Sequence, residues 1–196
     1  IVWNNREKKF LESKYKKRFC KVVYNSYVLL NNKDKNYLSK ILKKQKKIIL
    51  ISLQDRLEEI YKLHNKKNTL YKNLIPKFLI KYINRDKNFL WILKFHPRQL
   101  KKKELFYNSS NYLDLKHQFN NNRNVLLNYK LSNVNISNIL KFCEFHLSDS
   151  SASCLVSSDL NIKTGVWNPL FNKKKYMIEW FNNSKKIIFI NKKNIY

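Results

Sequence analysis

The fold is decided by one stretch, residues 47–53, which reads KIILISL. Apart from the leading lysine and one serine every position is apolar, so neither side of the stretch suits water. A strand that is apolar on both faces is typical of a parallel sheet, because helices cover both of its surfaces. A second such stretch, residues 89–95, reads FLWILKF and stops at the pair His96-Pro97. These two runs predict buried parallel strands.

Shorter apolar runs follow, separated by helix-like segments. We place further strands near residues 125–127, 145–148, 162–167 and 187–190, and helices near 75–83, 135–142, 149–160 and 173–181. Residues 100–118 predict a poor helix that is interrupted near residue 109. Alternating strands and helices indicate repeated βα units. The sequence therefore predicts an α/β fold with a doubly wound, mainly parallel six-stranded sheet, and crossover handedness favours the order 3-2-1-4-5-6.

Residues 1–45 are lysine-rich and show apolar residues at irregular helical spacing. We interpret them as a helical extension or linker from a preceding domain, and residues 46–196 as the α/β domain. The chain begins without Met, so we expect a piece of a longer protein. The sequence contains no run of about eighteen uncharged apolar residues, so it predicts no bilayer span. Cys20, Cys143 and Cys154 share no metal-ligand spacing, which predicts reduced thiols in a cytoplasmic protein.

The net charge of +28 comes from 41 Lys and Arg residues against 13 Asp and Glu residues. These charges are spread along the whole sequence rather than gathered in one segment. Such a field attracts phosphorylated donors, anionic lipids and nucleic acid alike. The charge therefore predicts affinity for anions without naming the anion.

Ligands of an open parallel sheet bind beyond the carboxyl ends of its strands, near the point where strand order reverses. This rule nominates the residues that follow the predicted strands: Gln54, Asp55, His96, Arg98, Asp149, Ser150, Ser151, Trp167 and Asn168. Ser150 and Ser151 stand at a predicted helix start, where backbone N–H groups, the helix dipole and two hydroxyls favour a phosphate. The alternative is that they only cap the helix.

A cationic cluster is predicted at the end of the second strand. Lys94 and His96 alternate along it and so lie on one side, and Arg98 follows Pro97 at its tip. The His96 imidazole could donate to a diphosphate or to a departing phosphate oxygen, which would stabilise the charge that develops on the leaving group. The alternative is a strand that is ended by proline and carries a half-exposed histidine.

Other cofactor and metal sites are not predicted. His64, His117 and His146 have no companions at a metal-ligand spacing, so we interpret them as structural or surface residues. The chain lacks the glycine-rich dinucleotide fingerprint, which argues against a nicotinamide or flavin cofactor.

Taken in order, these motifs resemble the carboxyl-terminal half of GT-B-fold bacterial glycosyltransferases of capsule and lipopolysaccharide synthesis. The resemblance is carried by residues 48–54 (IILISLQ), 91–98 (WILKFHPR) and 146–151 (HLSDSS), continuing to NIKT at 161–164. Bacterial sialyltransferases and polyglycerol-phosphate transferases are similar in pairing a His-Pro motif with a Ser-Ser motif. The resemblance covers about residues 46–191.

The resemblance implies a Rossmann-like domain that binds a nucleotide-sugar donor, with sugar transfer to a glycan acceptor in surface polysaccharide biosynthesis. It implies that Lys94, Arg98, Ser150 and Ser151 bind the donor phosphate and that His96 is catalytic. Further donor or acceptor contacts are expected from Gln54, Asp55, Asp149, Trp167 and Asn168. No metal or cofactor is implied, and the acceptor and general base are expected from an amino-terminal GT-B domain outside this sequence.

One departure from the family pattern keeps alternatives open. Many relatives carry a Glu-Ala pair in the helix after the Ser-Ser motif, where this chain has Leu155-Val156-Ser157 and Asp159 is the nearest carboxylate. A catalytically degenerate domain is one alternative. The other is a basic module for nucleic acid or membrane surfaces, favoured by cationic residues interleaved with aromatic ones. The expected location is cytoplasmic, with peripheral contact to the anionic inner face of the membrane.

Overall fold

The computed structural model describes residues 32–42, 47–54, 74–100, 102–149, 151, 153–167, 187–191 and 193. Its strands are β1 (Ile48–Ser52), β2 (Leu90–Lys94), β3 (Val125–Leu126), β4 (Phe145–Ser148), β5 (Lys163–Val166) and β6 (Ile187–Phe189). Its helices are α1 (Asn32–Leu42), α2 (Lys77–Arg85), α3 (Lys103–Tyr107), α4 (Ser110–Gln118), α5 (Tyr129–Asn133), α6 (Ile136–Leu140) and α7 (Ser153–Asp159). A 3-10 turn, Pro97–Gln99, follows β2.

The six strands form one sheet in the order β3-β2-β1-β4-β5-β6, and every neighbouring pair is parallel. The predicted fold class and strand order are therefore confirmed. The order reverses between β1 and β4, since the chain builds outward from β1 to β3 and then returns to add β4 on the other side. This switch point is where open α/β sheets bind ligands.

One face of the sheet, here called the apolar face, is covered by α2, α3 and α4. Because side chains alternate along a strand, every second residue of β1 and β2 points into this face. These residues are aliphatic or aromatic. Ile51, Leu93 and Phe95 pack there against Leu79 of α2 and Phe106 of α3. The apolar face contains the largest of the three hydrophobic clusters in the described residues.

The opposite face, here called the mixed face, is covered by α1, α5, α6 and α7. Leu50 and Ile92 pack there with Leu38 and Leu42 of α1, all of them nearly or fully buried. Helix α1 thus lies within the stretch interpreted as an extension, yet its apolar side belongs to the core of the α/β unit. The domain boundary near residue 45 stays a prediction, and residues 1–31 lie outside the described part.

The helices differ from prediction mainly where they are short. Residues 100–118 form two helices, α3 and α4, and the break falls where Ser109 caps α4 by accepting from the Tyr112 amide. The five-residue helix α5 was not predicted. The helix expected near 149–160 begins only at Ser153, and the one expected near 173–181 lies outside the described residues.

Cys143 and Cys154 are free thiols, and burial raises the pKa of each to about 12. Thiols of this kind are inert structural groups rather than nucleophiles. Within the described ranges, no helix combines the length and apolarity needed to cross a membrane.

Candidate functional site

The strand register brings the predicted loops to one edge of the sheet. Ser52, the last residue of β1, is paired with Lys94 of β2 on one side and Ser148 of β4 on the other. Since neighbouring strands lie about 4.8 Å apart, the ends of β2 and β4 are separated by only about 10 Å. The segment after β2 and the segment after β4 therefore flank β1 at the switch point. One small ligand can reach both.

His96 is held in a turn that fixes its ring. Its Nδ1 accepts a hydrogen bond from the Arg98 amide at 3.3 Å, and its own amide donates to Gln99 Oε1 at 3.2 Å. In the neutral imidazole the proton must then sit on Nε2, because Nδ1 is the acceptor. Tyr129 Oη donates to the carbonyl of Leu100 at 3.3 Å, which anchors the end of the turn. His96 is partly exposed and Arg98 is exposed.

Lys94 lies in a different environment from His96. Its side chain is 6% exposed on the mixed face, and its Nζ donates to the backbone carbonyl of Ser132 in α5. Burial lowers the pKa of Lys94 to about 8. The unpredicted helix α5 therefore covers the ammonium, which contributes positive charge from beneath the edge.

The segment after β4 contains two described candidates. Asp149 directly follows the strand and is buried. Ser151 is partly buried, and its Oγ accepts from the Ser153 amide at 3.2 Å. Ser151 thus stands ahead of α7 rather than within it. Ser150 lies outside the described residues, so the paired-serine prediction is located only through its second member.

Two of the remaining candidates, Gln54 and Trp167, are described and lie at the same edge. Gln54 is partly buried beyond β1, next to Leu53, whose amide donates to the Lys94 carbonyl at 2.9 Å. Trp167 follows β5 and is packed in the apolar-face core, with its amide bonded to the Ser148 carbonyl at 3.2 Å. Asp55 and Asn168 lie outside the described residues. Among those described, no three His, Cys, Asp or Glu side chains meet as a metal site requires.

The structure also places a buried polar network directly below this edge, centred on His146. The imidazole is fully buried on the mixed face, with Nε2 2.7 Å from Ser52 Oγ and 3.5 Å from Ser153 Oγ. Its Nδ1 lies 3.0 Å from Ser157 Oγ, which in turn bonds Thr164 Oγ1. The network joins β1, β4, β5 and α7 at the switch point.

His146 was interpreted from the sequence as a structural or surface residue, and the network was not predicted. A signal existed in FHLS at residues 145–148, since the alternation of apolar and polar residues puts His146 and Ser148 on one face. Ser52 and Thr164 share that face through the strand register. Burial lowers the pKa of His146 to about 3, so the ring is neutral near pH 7.

No protein-family model matches the chain, and no curated protein matches it. Among solved structures, the chain is similar to one of the wall teichoic acid polymerase TagF soaked with CDPG, at a TM-score of 0.47 and 16% identity. The match covers 90% of this chain and 39% of that one. A likeness at this level carries no functional argument, and this chain spans well under half the length of the polymerase.

Proposed function

We propose that this chain is the donor-binding half of a GT-B-type glycosyltransferase, transferring a sugar from a nucleotide-activated donor to a glycan acceptor. The observation that carries the proposal is the register that aligns Ser52 with Lys94 and with Ser148. It puts the turn with His96 and the segment with Ser151 on either side of β1, at the switch point where nucleotides bind in doubly wound sheets.

The charges at this edge suit a diphosphate. Arg98 offers a planar guanidinium that can bind phosphate oxygens through two hydrogen bonds, while Ser150 and Ser151 offer hydroxyl donors. Lys94 adds positive charge from beneath, although α5 covers its ammonium. The proposed role of His96 is to donate a hydrogen bond from its Nε2–H to the phosphate oxygen that leaves the sugar, which stabilises the negative charge developing there.

The donor enters as a substrate, and the proposal requires no metal and no redox cofactor. The chain's single glycine, Gly165, lies inside β5, where an added Cβ would approach Leu147 Cδ2 at 2.6 Å. It therefore serves strand packing and cannot build a glycine-rich phosphate loop after β1. The finer proposal is a pathway that makes a capsule or lipopolysaccharide, with the acceptor held by a second GT-B domain and peripheral contact to anionic lipid.

The proposal is tested by calorimetric titration of the chain with CMP, CDP, UDP, GDP and their sugars at two salt concentrations. One nucleotide is expected to bind selectively. Arg98→Ala should weaken that binding about tenfold, the worth of one charge-assisted hydrogen bond. Arg123→Ala is the matched control, since Arg123 is also exposed but precedes β3 at the opposite edge of the sheet.

A double variant, Ser150→Ala with Ser151→Ala, tests the other side of the site. It should abolish selectivity among nucleotides, whereas Ser110→Ala on the surface of α4 should not. Equal weak binding of every polyanion, lost in high salt and indifferent to these variants, would contradict the proposal. That result would favour the basic binding module instead.

A further inference from the structure

The hydrogen bonds around His146 determine which of its nitrogens carries the proton. The Ser157 hydroxyl has one proton, and it donates that proton to the Cys154 carbonyl at 2.9 Å. Toward His146 Nδ1, at 3.0 Å, Ser157 must therefore accept. Nδ1 carries the proton in the neutral ring. Thr164 Oγ1 lies 2.5 Å from Ser157 Oγ and donates to the Ile162 carbonyl at 3.3 Å. Nε2 is left as an acceptor.

Two hydroxyls converge on that acceptor from different segments of the chain. Ser52 Oγ, 2.7 Å away, belongs to the last residue of β1, and Ser153 Oγ, 3.5 Å away, belongs to the first residue of α7. The Ser153 amide donates to Ser151 Oγ. The shorter contact is with Ser52, and the longer one leads to Ser153, whose backbone amide in turn holds Ser151, a predicted phosphate ligand.

We infer that His146 is a positioning residue of the donor site, whose Nε2 holds Ser52 and Ser153, and through Ser153 the side chain of Ser151. This inference rests on the proposed function. Because His146 is fully buried, we expect it to act through the serines rather than on the donor itself. It fixes the spacing between the end of β1 and the segment after β4, across which the donor is proposed to lie.

Two substitutions at His146 each keep the hydrogen bond of one ring nitrogen and remove that of the other. In His146→Asn the amide nitrogen replaces Nδ1, so the bond to Ser157 is kept and the Nε2 acceptor is lost. In His146→Gln the longer side chain returns an acceptor oxygen near the position of Nε2 but loses the bond to Ser157. Each variant loses one side of the network, so both should be destabilised to a similar degree.

The expected result separates affinity from stability. His146→Asn should weaken binding of the nucleotide selected by the parent chain about tenfold, and His146→Gln should leave it within about twofold. Equal losses of affinity in both variants, in proportion to their losses of stability, would overturn the inference. Ser153→Ala and Ser157→Ala form a milder pair that loses single hydroxyls. The first should lower affinity, and the second should lower only stability.

A readout without nucleotide keeps this inference distinct from the proposed function. Amide hydrogen exchange at Ser153 reports the bond to Ser151. It should speed up about tenfold in His146→Asn relative to His146→Gln, since only the Asn variant releases Ser153. If the parent chain binds no nucleotide, the proposed function fails while exchange still measures the positioning. If exchange at Ser153 is the same in both variants, the positioning role itself is wrong.

Discussion

The two faces of the sheet differ in what they bury. On the apolar face the strands present aliphatic and aromatic side chains, and the buried centre there contains Ile51, Trp91 and Leu93. On the mixed face the strands also present polar side chains that are nearly or fully buried: Ser52, Lys94, His146, Ser148 and Thr164. Both faces belong to the same strands and are covered by helices.

The difference shows that one face of the sheet mainly stabilises the fold, whereas the other face supports the candidate site. Packed apolar groups stabilise the fold without needing specific partners. A buried polar group is costly unless it is hydrogen-bonded, so each one fixes the position of its neighbour. Ser52, Lys94 and Ser148 end their strands at the carboxyl edge, next to the switch point. His146 and Thr164 lie one row below, level with Leu50 and Ile92, which keep the β1 and β2 part of that row apolar.

The largest expected effect comes from removing packing on the apolar face. Leu93→Ala should lower the free energy of unfolding by about 2 to 5 kcal/mol, because it leaves a cavity beside Phe95 and Ile51. Denaturant unfolding measures the loss, with Leu113→Ala as a control at a position that is 50% exposed. Nucleotide affinity per folded molecule should not change. A loss of affinity would contradict the claim that packing on the apolar face affects only stability.

The next effect concerns charge on the mixed face. Burial lowers the pKa of Lys94 from 10.5 to about 8. Between those values the unfolded chain binds a proton that the folded chain does not, so stability should rise with pH across this window. The rise attributable to Lys94 is on the order of 3 kcal/mol.

Lys94→Met isolates this contribution, since it removes the titrating group and keeps the volume. Unfolding is measured from pH 7.5 to 10.5, and the difference between parent and variant is compared at each pH. The free energy of unfolding of the parent chain should increase relative to that of the variant as the pH rises. A constant difference would mean that Lys94 is not buried as an ammonium beneath α5.

The smallest expected effect is at the His96 turn. Gln99→Ala removes the acceptor for the His96 amide and should cost about 0.5 to 1.5 kcal/mol. Amide exchange at His96 should rise with it. Asn120→Ala, at an exposed position just after α4, is the control and should change stability by less than about 0.5 kcal/mol. Equal effects would show that the turn does not depend on Gln99.

The sequence was sufficient for the sheet because the runs at 47–53 and 89–95 are apolar on both faces, which few structures other than central parallel strands permit. Strand order followed from the handedness of crossovers. The neighbours of Lys94 could not be predicted in this way. The structure puts it on the face of Ser52, and its burial depends on α5, a helix too short to leave a periodic signal.

The sequence predicts where the candidate site lies, at the carboxyl edge of the sheet, but not the contacts of its individual residues. The rule about carboxyl ends brought the segments after β2 and β4 together, which the register confirms geometrically. The roles of individual residues there stay predictions. The His146 network was missed because its partners, Ser52 and Ser157, are 94 and 11 positions away in sequence and converge only in the folded chain.

The central claim, that a nucleotide binds at the carboxyl edge beside the switch point, is tested most directly by mapping amide chemical shifts during titration of the selected nucleotide into ¹⁵N-labelled chain. We expect the shifts to concentrate at Gln54, His96 to Gln99 and Asp149 to Ser151, with His117 and Arg123 at the opposite edge unchanged. Shifts spread over exposed lysines on all sides, and removed by salt, would contradict the account.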